Sequence, residues 1–398
     1  SVMMNVLGGQ GQGGPGIENI ALAMAAAIKG YRMVLIMPSH MSDERKLAMS
    51  AYGAKLIEVT SDCGMEVARD LALAMQERGE GRVLDQFGNP DNPAAHYAST
   101  GPEIWEQMEG KLDAVVAGVG SGGTLTGMAE FFKEKDPNIM MVAADPEGSI
   151  VADAVTKGSF SYDGGSWLVE GVGEDFIPDV LNVDLLHDAA IVSDKEAFQT
   201  LQILIREEGI LGGSSTGTLV AGAVKWCQKQ TSPKRVVTFI CDTGNKYLSK
   251  AFNKSWLLDN DLLEVPLEGN LLDLVNRRAD KGEMISVTSG DTLLTAYKRM
   301  RASDISQIPV LEMDRLVGVL DEEDLLFNVS KSKDAFGKSV AEFMVTDLDI
   351  LPSGASEDEL MKTLTEGKVA IIYDKDIFIG FITKVDLINH YRTKINQD

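Results

Sequence analysis

Residues Asp113 to Ala117 form a short apolar run that passes directly into Gly118-Val119-Gly120-Ser121-Gly122-Gly123-Thr124 and then into a stretch of helical pattern. A buried strand, a turn too tight for large side chains and a helix in immediate succession restrict the chain to an α/β layer structure, with the turn at the carboxyl end of the strand. Four glycines beside a serine and a threonine let the backbone aim its N–H groups at an anion, and the start of the following helix adds its positive end. No lysine follows in Gly-Lys-Ser/Thr order, so the loop does not fit a nucleoside triphosphate and points instead to the phosphate of a cofactor. The same residues satisfy a dinucleotide fingerprint through Gly118, Gly120 and Gly123, with Asp145 ending the next strand where a ribose-binding acid would stand. The loop alone leaves open a nicotinamide cofactor, another phosphate ligand and a purely structural turn.

The alternation extends through the first ~255 residues. An Ala-rich helix over Ile20–Ile28 stops at Gly30, and Met33–Met37 follows as a strand. Ser42 caps another helix, Leu56–Thr60 is a strand, and the helix after the glycine loop reaches about Lys135 before the strand Met140–Ala144. Ser193 with Glu196 makes a capping box for a helix ending at Gly209. A second glycine turn, Gly212-Gly213-Ser214-Ser215, opens a helix to about Gln228, and the strand Val236–Cys241 closes the set. Such alternation predicts a parallel sheet covered on both faces. By position Ser214 is either the cap of its helix or a neutral hydrogen-bond partner for a heteroaromatic nitrogen.

From Leu257 to Asn270 periodicity is lost, and this stretch reads as a linker. Beyond it Ile308-Pro309-Val310, Gly318-Val319-Leu320 and Asp324-Leu325 recur 62 positions later (Asp324 to Asp386) as Ile372, Gly380-Phe381-Ile382 and Asp386-Leu387. Each copy follows a helical stretch, near Leu293–Met300 and Glu357–Thr365. Neither copy could bury its apolar face alone, so the two should pair.

The formal charge of -23 argues against nucleic acid or an anionic membrane as partner. Three widely spaced cysteines, Cys63, Cys227 and Cys241, contain no Cys-x-x-Cys, which predicts reduced thiols and no metal site. No apolar run reaches membrane-spanning length, and a cytoplasmic protein is expected.

In combination these segments resemble the pyridoxal-phosphate enzymes of the cysteine synthase and cystathionine β-synthase family. The resemblance is carried by Gly120-Ser121-Gly122-Gly123-Thr124 and Gly212-Gly213-Ser214, and by Leu84-Asp85-Gln86-Phe87 with Asn92-Pro93 and His96-Tyr97. Ala144 to Ser149, Glu170 to Pro178 and Asp242 to Tyr247 complete it, in the family's order from about Gly16 to Trp256. It implies a fold-type-II, three-layer αβα catalytic domain over residues 1–256 that holds pyridoxal 5'-phosphate. Gly120, Ser121, Gly122, Gly123 and Thr124 would hold the phosphate and Ser214 the pyridine nitrogen, while Gln86, Gly171 and Gly173 would line the substrate cleft. The implied reaction is β-replacement of L-serine by L-homocysteine to give L-cystathionine. Cysteine synthase chemistry on O-acetylserine and sulfide is the alternative within the family. A nicotinamide dehydrogenase using Asp145 and a non-catalytic adenosine-nucleotide sensor are the alternatives outside it.

The repeat resembles a Bateman module, an α+β pair of CBS domains at 271–332 and 339–396 after a linker at 257–270. Asp324, Thr383 and Asp386 would then meet S-adenosylmethionine or an adenine nucleotide, and relatives of this architecture imply a homodimer or homotetramer. One departure stands out. The family attaches its cofactor through a lysine ahead of a Ser-Gly-Asn-Thr-Gly loop, and neither is recognisable here, where Pro15-Gly16-Ile17-Glu18-Asn19 stands instead. The expectation is therefore an N-terminally shortened or misassembled form of an active enzyme's catalytic domain, without its catalytic lysine, with a family member that has lost catalysis as the alternative. Ser1–Gly14 reads as a flexible leader.

Overall fold

The computed structural model describes residues 2–6, 17–39, 43–59, 64–159, 165–263, 268–303 and 305–395. The glycines Gly8–Gly14, the expected cap Ser42 and Cys63 lie outside them. The chain divides into two compact units, Ser1–Leu263 and Glu264–Asp398.

The first unit holds two four-stranded parallel sheets. In the first sheet β1 (Val2–Val6), β2 (Arg32–Pro38), β3 (Lys55–Val59) and β4 (Arg82–Val83) stand in the order β3-β2-β1-β4. Helices α1 (Ile17–Lys29), α2 (Asp43–Ala51) and α3 (Gly64–Glu77) alternate with them. The strand at Val2–Val6 corrects the reading of Ser1–Gly14 as a leader: it pairs in parallel with Arg32–Ile36 and with Arg82–Val83. Side chains of β2 alternate between two cores, as a strand period of two demands. Met33, Leu35 and Met37 pack with Ala23 and Ala26 of α1, while Val34 and Ile36 pack with Ala68, Ala72 and Met75 of α3.

Two short helices, α4 (Asp91–Ala98) and α5 (Thr100–Gln107), lead into the second sheet. It contains β5 (Ala114–Gly118), β6 (Met140–Pro146), β7 (Asp188–Val192) and β8 (Val236–Val237), ordered β7-β6-β5-β8. Helices α6 (Gly123–Lys135), α7 (Val151–Lys157), α8 (Asp194–Ile203) and α9 (Ser214–Gln228) cover it. Ala114 and Val116 face a core with Phe198, Leu219 and Trp226, whereas Val115 and Ala117 face one with Leu125, Met128 and Phe132. Helix α8 has the expected Ser193–Glu196 capping box, widens into a π-helical turn over Leu204–Glu208, and closes at Gly209 in the left-handed region.

Two expectations shift. The strand expected over Val236–Cys241 ends at Val237, because the chain then turns to meet the second glycine turn, where the Gly213 N–H donates to the Asp242 carbonyl at 3.0 Å. The linker expected to begin at Leu257 is partly core: α10 (Lys254–Asp259) crosses that position, and Leu257 and Leu262 are buried with the second sheet.

In the second unit α11 (Leu293–Ser303), β9 (Gln307–Glu312), β10 (Arg315–Asp321) and α12 (Glu322–Lys331) form one half. A strand β11 (Ile350–Pro352), then α13 (Glu357–Thr365), β12 (Ala370–Asp374), β13 (Ile377–Ile382) and α14 (Lys384–Ile395), form the other. β9 and β10 are antiparallel, as are β12 and β13, and β11 adds to β12 in parallel. The repeat thus appears as the same helix–hairpin–helix order in both halves. Among the described residues no helix is long and apolar enough to cross a membrane.

Candidate active site

The glycine loop leaves β5 at its carboxyl end and wraps one side of a cavity of about 320 Å³. Gly120, Ser121, Gly122 and Thr124 line it, together with Gln86, Glu170 and Gly171. Gly122 has φ +85° and caps α6 without any side-chain bond, so the N–H groups of the first helical turn have neither a helical acceptor nor a capping oxygen. No acidic residue stands in that turn. An anion is the natural occupant of such a place.

Side chains from α4 and α5 brace the loop. Asn92 donates to the Ser121 hydroxyl at 2.9 Å and to the Gln86 carbonyl at 3.0 Å. His96 Nε2 meets the Thr124 hydroxyl at 3.1 Å and its Nδ1 meets Thr100 at 2.9 Å. Burial lowers the His96 pKa, so the ring meets Thr124 as neutral imidazole. Gly123 is not part of the cavity wall. It stands against Asn92, whose amide oxygen would lie 2.0 Å from an added Cβ.

Ser215 of the second glycine turn also lines the cavity, together with Cys241, Asp242 and Tyr247. Gly213, not Ser214, is the cap of α9, which removes the capping role for Ser214. Ser214 is buried behind the wall: its Oγ accepts the Glu170 N–H at 3.0 Å, and its hydroxyl donates to the Glu170 carbonyl at 3.4 Å. Cys241 lines the cavity, and desolvation around its sulfur pushes the thiol up to about 11. Among the described residues no lysine lines the cavity; Lys250 pairs with Glu170 at 2.6 Å and Lys246 with Asp242 at 3.7 Å.

Gly171 lines the cavity with φ +88°. Gly173 does not line it. Its N–H donates to the Val119 carbonyl at 2.7 Å and its Cα backs onto Trp167 and Pro146.

Asp145 is fully buried and accepts the Ala152 N–H at 2.8 Å, beyond the reach of a ribose hydroxyl. The dinucleotide reading loses its acidic partner. Burial pushes the Asp145 carboxyl up to about 7 and raises that of buried Glu174 well above the usual range, with the Asp175 and then the Asp145 charge adding to it at Glu174. Folding benefits most from such groups below about pH 4, where folded and unfolded chains are both protonated; the benefit is lost towards pH 7, because the unfolded chain ionises first. Asp145→Asn retains an acceptor for Ala152 and removes the ionisation. Its stability relative to the parent, from urea melts, should therefore rise between about pH 4 and pH 7 and level off above that; a constant difference would refute the assignment.

In the second unit Asp321 caps α12 and exchanges bonds with Asp324, a capping box. Burial, then the Asp321 charge, raises the Asp324 carboxyl pKa. The repeat places Thr383 and Asp386 equivalently: Asp386 Oδ2 accepts the Thr383 N–H at 2.7 Å and its hydroxyl at 2.6 Å. Asp386 Oδ1 accepts from Asn276.

One site residue had no sequence signal. Arg45 looks like an ordinary solvated charge in the first turns of an amphipathic helix, yet it is completely buried. It donates to Glu170 Oε2 and to the Tyr247 hydroxyl, with its guanidinium 4.5 Å from the centre of the Tyr247 ring. Among the described residues no group of three or more His, Cys, Asp or Glu is placed to hold a metal ion.

A family model described as "Pyridoxal-phosphate dependent enzyme" matches residues 19–242, and one described as "CBS domain" matches 277–331. The chain is 32% identical over 394 residues to a cystathionine beta-synthase of Dictyostelium discoideum, an alignment covering 94% of this chain and 78% of that one. It is 45% identical over 234 residues to cysteine synthase B of Salmonella typhimurium, covering 59% and 72%. Among solved structures, a hydrogen sulfide-producing enzyme from Fusobacterium nucleatum superposes with a TM-score of 0.56 at 31% identity, over 62% of this chain and 80% of that one.

Proposed function

Since the chain belongs to the pyridoxal-phosphate-dependent enzymes of the cysteine synthase and cystathionine β-synthase family, we propose that the reaction its site serves is the replacement of the L-serine hydroxyl by L-homocysteine, giving L-cystathionine, under control of the repeat-containing tail. Its residues supply the binding site but no lysine ahead of Lys29 to attach the cofactor. The observation that carries this reading is one cavity lined both by an uncapped glycine cradle and by Ser215 of the second glycine turn. A phosphate monoester on a small heteroaromatic ring fits that donor set: backbone N–H groups, the Ser121 and Thr124 hydroxyls and no acid in the first turn of α6.

When bound, the cofactor supplies an electron sink for a carbanion formed next to an amino group. The chain's own residues bind and orient. The cradle fixes the phosphate, and Asn92 and His96 hold the two hydroxyls that face it. Ser214 does not itself line the cavity; with its hydroxyl turned from the Glu170 carbonyl, which it meets at 3.4 Å, it would donate to the pyridine nitrogen without protonating it, and so would keep the ring a moderate sink that favours loss of a β-substituent over transamination. Gln86 and Gly171 bound the space left for the amino acid.

The long alignment through the tail favours homocysteine as acceptor. The higher identity to cysteine synthase B over the catalytic stretch favours the second reading, O-acetylserine with sulfide. Calorimetry with pyridoxal phosphate and product analysis by mass spectrometry discriminate. Cofactor binding with cystathionine formed from serine and homocysteine supports the proposal, and cysteine formed from O-acetylserine and sulfide transfers it to the second reading. Binding with neither product makes the chain a non-catalytic member of the family, and no binding overturns the assignment of the site.

S-adenosylmethionine or an adenine nucleotide, engaging Asp324, Thr383 and Asp386, is the proposed effector of the tail. A rise in melting temperature with either ligand that Asp386→Ala abolishes would support it.

A further inference from the structure

We propose that Arg45 is a positioning residue for the ring-nitrogen side of the cavity, acting through Glu170 on the Ser214 hydroxyl; this rests on the reading of Ser214 as partner of the pyridine nitrogen. Glu170 is held at both ends. Its side chain is almost wholly buried and gives one carboxylate oxygen to Arg45 and the other to Lys250. Its peptide makes both bonds to Ser214. The N–H bond at 3.0 Å occupies a lone pair of Ser214 Oγ, so the hydroxyl proton must point elsewhere. The acceptor it has, the Glu170 carbonyl at 3.4 Å, is at the weak limit of a hydrogen bond, and a pyridine nitrogen would take the proton from it. The next residue, Gly171, is part of the cavity wall, and its carbonyl would lie 3.1 Å from a Cβ on Gly120. A displaced Glu170 therefore moves Ser214 and disturbs the wall.

Arg45 reaches this point from the first sheet's layer. Helix α2 is tied down by two consecutive residues: Glu44 accepts the Ser249 N–H and hydroxyl, each at 3.0 Å, and Arg45 bridges Glu170 and Tyr247. Only a planar guanidinium can donate to the carboxylate and the phenol while stacking on the phenol ring; a lysine reaches one of them. The seating of α2 is thus transmitted, over three residues, to the direction of one hydroxyl.

The test compares pyridoxal phosphate with its deaza analogue, in which a C–H replaces the ring nitrogen, by titration calorimetry. The proteins are the parent, Arg45→Lys, Ser214→Ala and the double variant. Arg45→Lys should weaken pyridoxal phosphate about tenfold, the size of one misplaced hydrogen bond. Ser214→Ala should do the same, the double variant should be no worse than Ser214→Ala, and the deaza analogue should bind all four alike. Equal weakening of both ligands, or losses that add in the double variant, would overturn the proposal in favour of a merely structural Arg45. Unchanged binding by Arg45→Lys would overturn it while leaving the cofactor reading intact, whereas a parent that binds neither ligand removes both. If Arg45→Lys does not fold, Tyr247→Phe, which deletes one of the two acceptors, should show the same preference for losing pyridoxal phosphate; if it does not, the proposal fails.

Discussion

Arg45→Met is expected to lose about 3–5 kcal/mol of folding stability, the usual penalty for removing one partner of a buried ion pair. The guanidinium has no access to water, and its loss leaves Glu170 facing Lys250 alone and the Tyr247 hydroxyl without a donor. Because Lys250 still neutralises one carboxylate oxygen, the loss should fall towards the lower end of that range. Urea denaturation at pH 7 measures it. A second replacement tests the origin of the effect: Glu170→Gln in the Arg45→Met background removes the stranded charge and should recover part of the stability. A loss below about 1 kcal/mol, the level of an exposed pair, would show that the contact does not form in solution.

Gly122→Ala should cost about 2–4 kcal/mol and weaken pyridoxal phosphate at least tenfold, combining left-handed backbone strain with overpacking. At φ +85° an L-residue is strained, and its Cβ would lie 2.7 Å from that of Leu181. Relief requires the turn to change its dihedral angles, which re-aims the very N–H groups that start α6. Calorimetric titration and thermal melting of the same sample read the two effects. A variant that melts earlier yet binds the cofactor as well as the parent would show that the cradle lies elsewhere.

Local signals were readable from the residues and distant ones were not. The strand–glycine loop–helix, the Ser193–Glu196 box and the start of α9 at the second glycine turn all depend on neighbours a few positions away, and the structure places them as read. Arg45 depends on residues 125 and 202 positions distant, so no window on the sequence could reveal that its charge is buried. Val236 to Cys241 has the composition of a strand, but pairing stops at Val237 because the Asp242 region is drawn to Gly212 and Gly213. The strand Val2–Val6 was hidden by the glycine run that follows it, and only its parallel register with Arg32–Ile36 reveals it. Gly173 and Gly123 belong to the right motifs but serve close packing behind the wall. A motif identifies which residues gather; it does not say which of them face inward.

The two halves of the tail begin their final helices with the same reciprocal arrangement, but they are not equally ready for a guest. Asp386 already satisfies the Thr383 backbone and hydroxyl with one oxygen and Asn276 with the other, whereas Asp324 takes the Asp321 N–H at 3.3 Å. A sugar hydroxyl arriving at Asp386 has to evict residents and fray the first turn of α14; at Asp324 it displaces one long bond. Were a ligand to enter both positions, the earlier half would fill before the later.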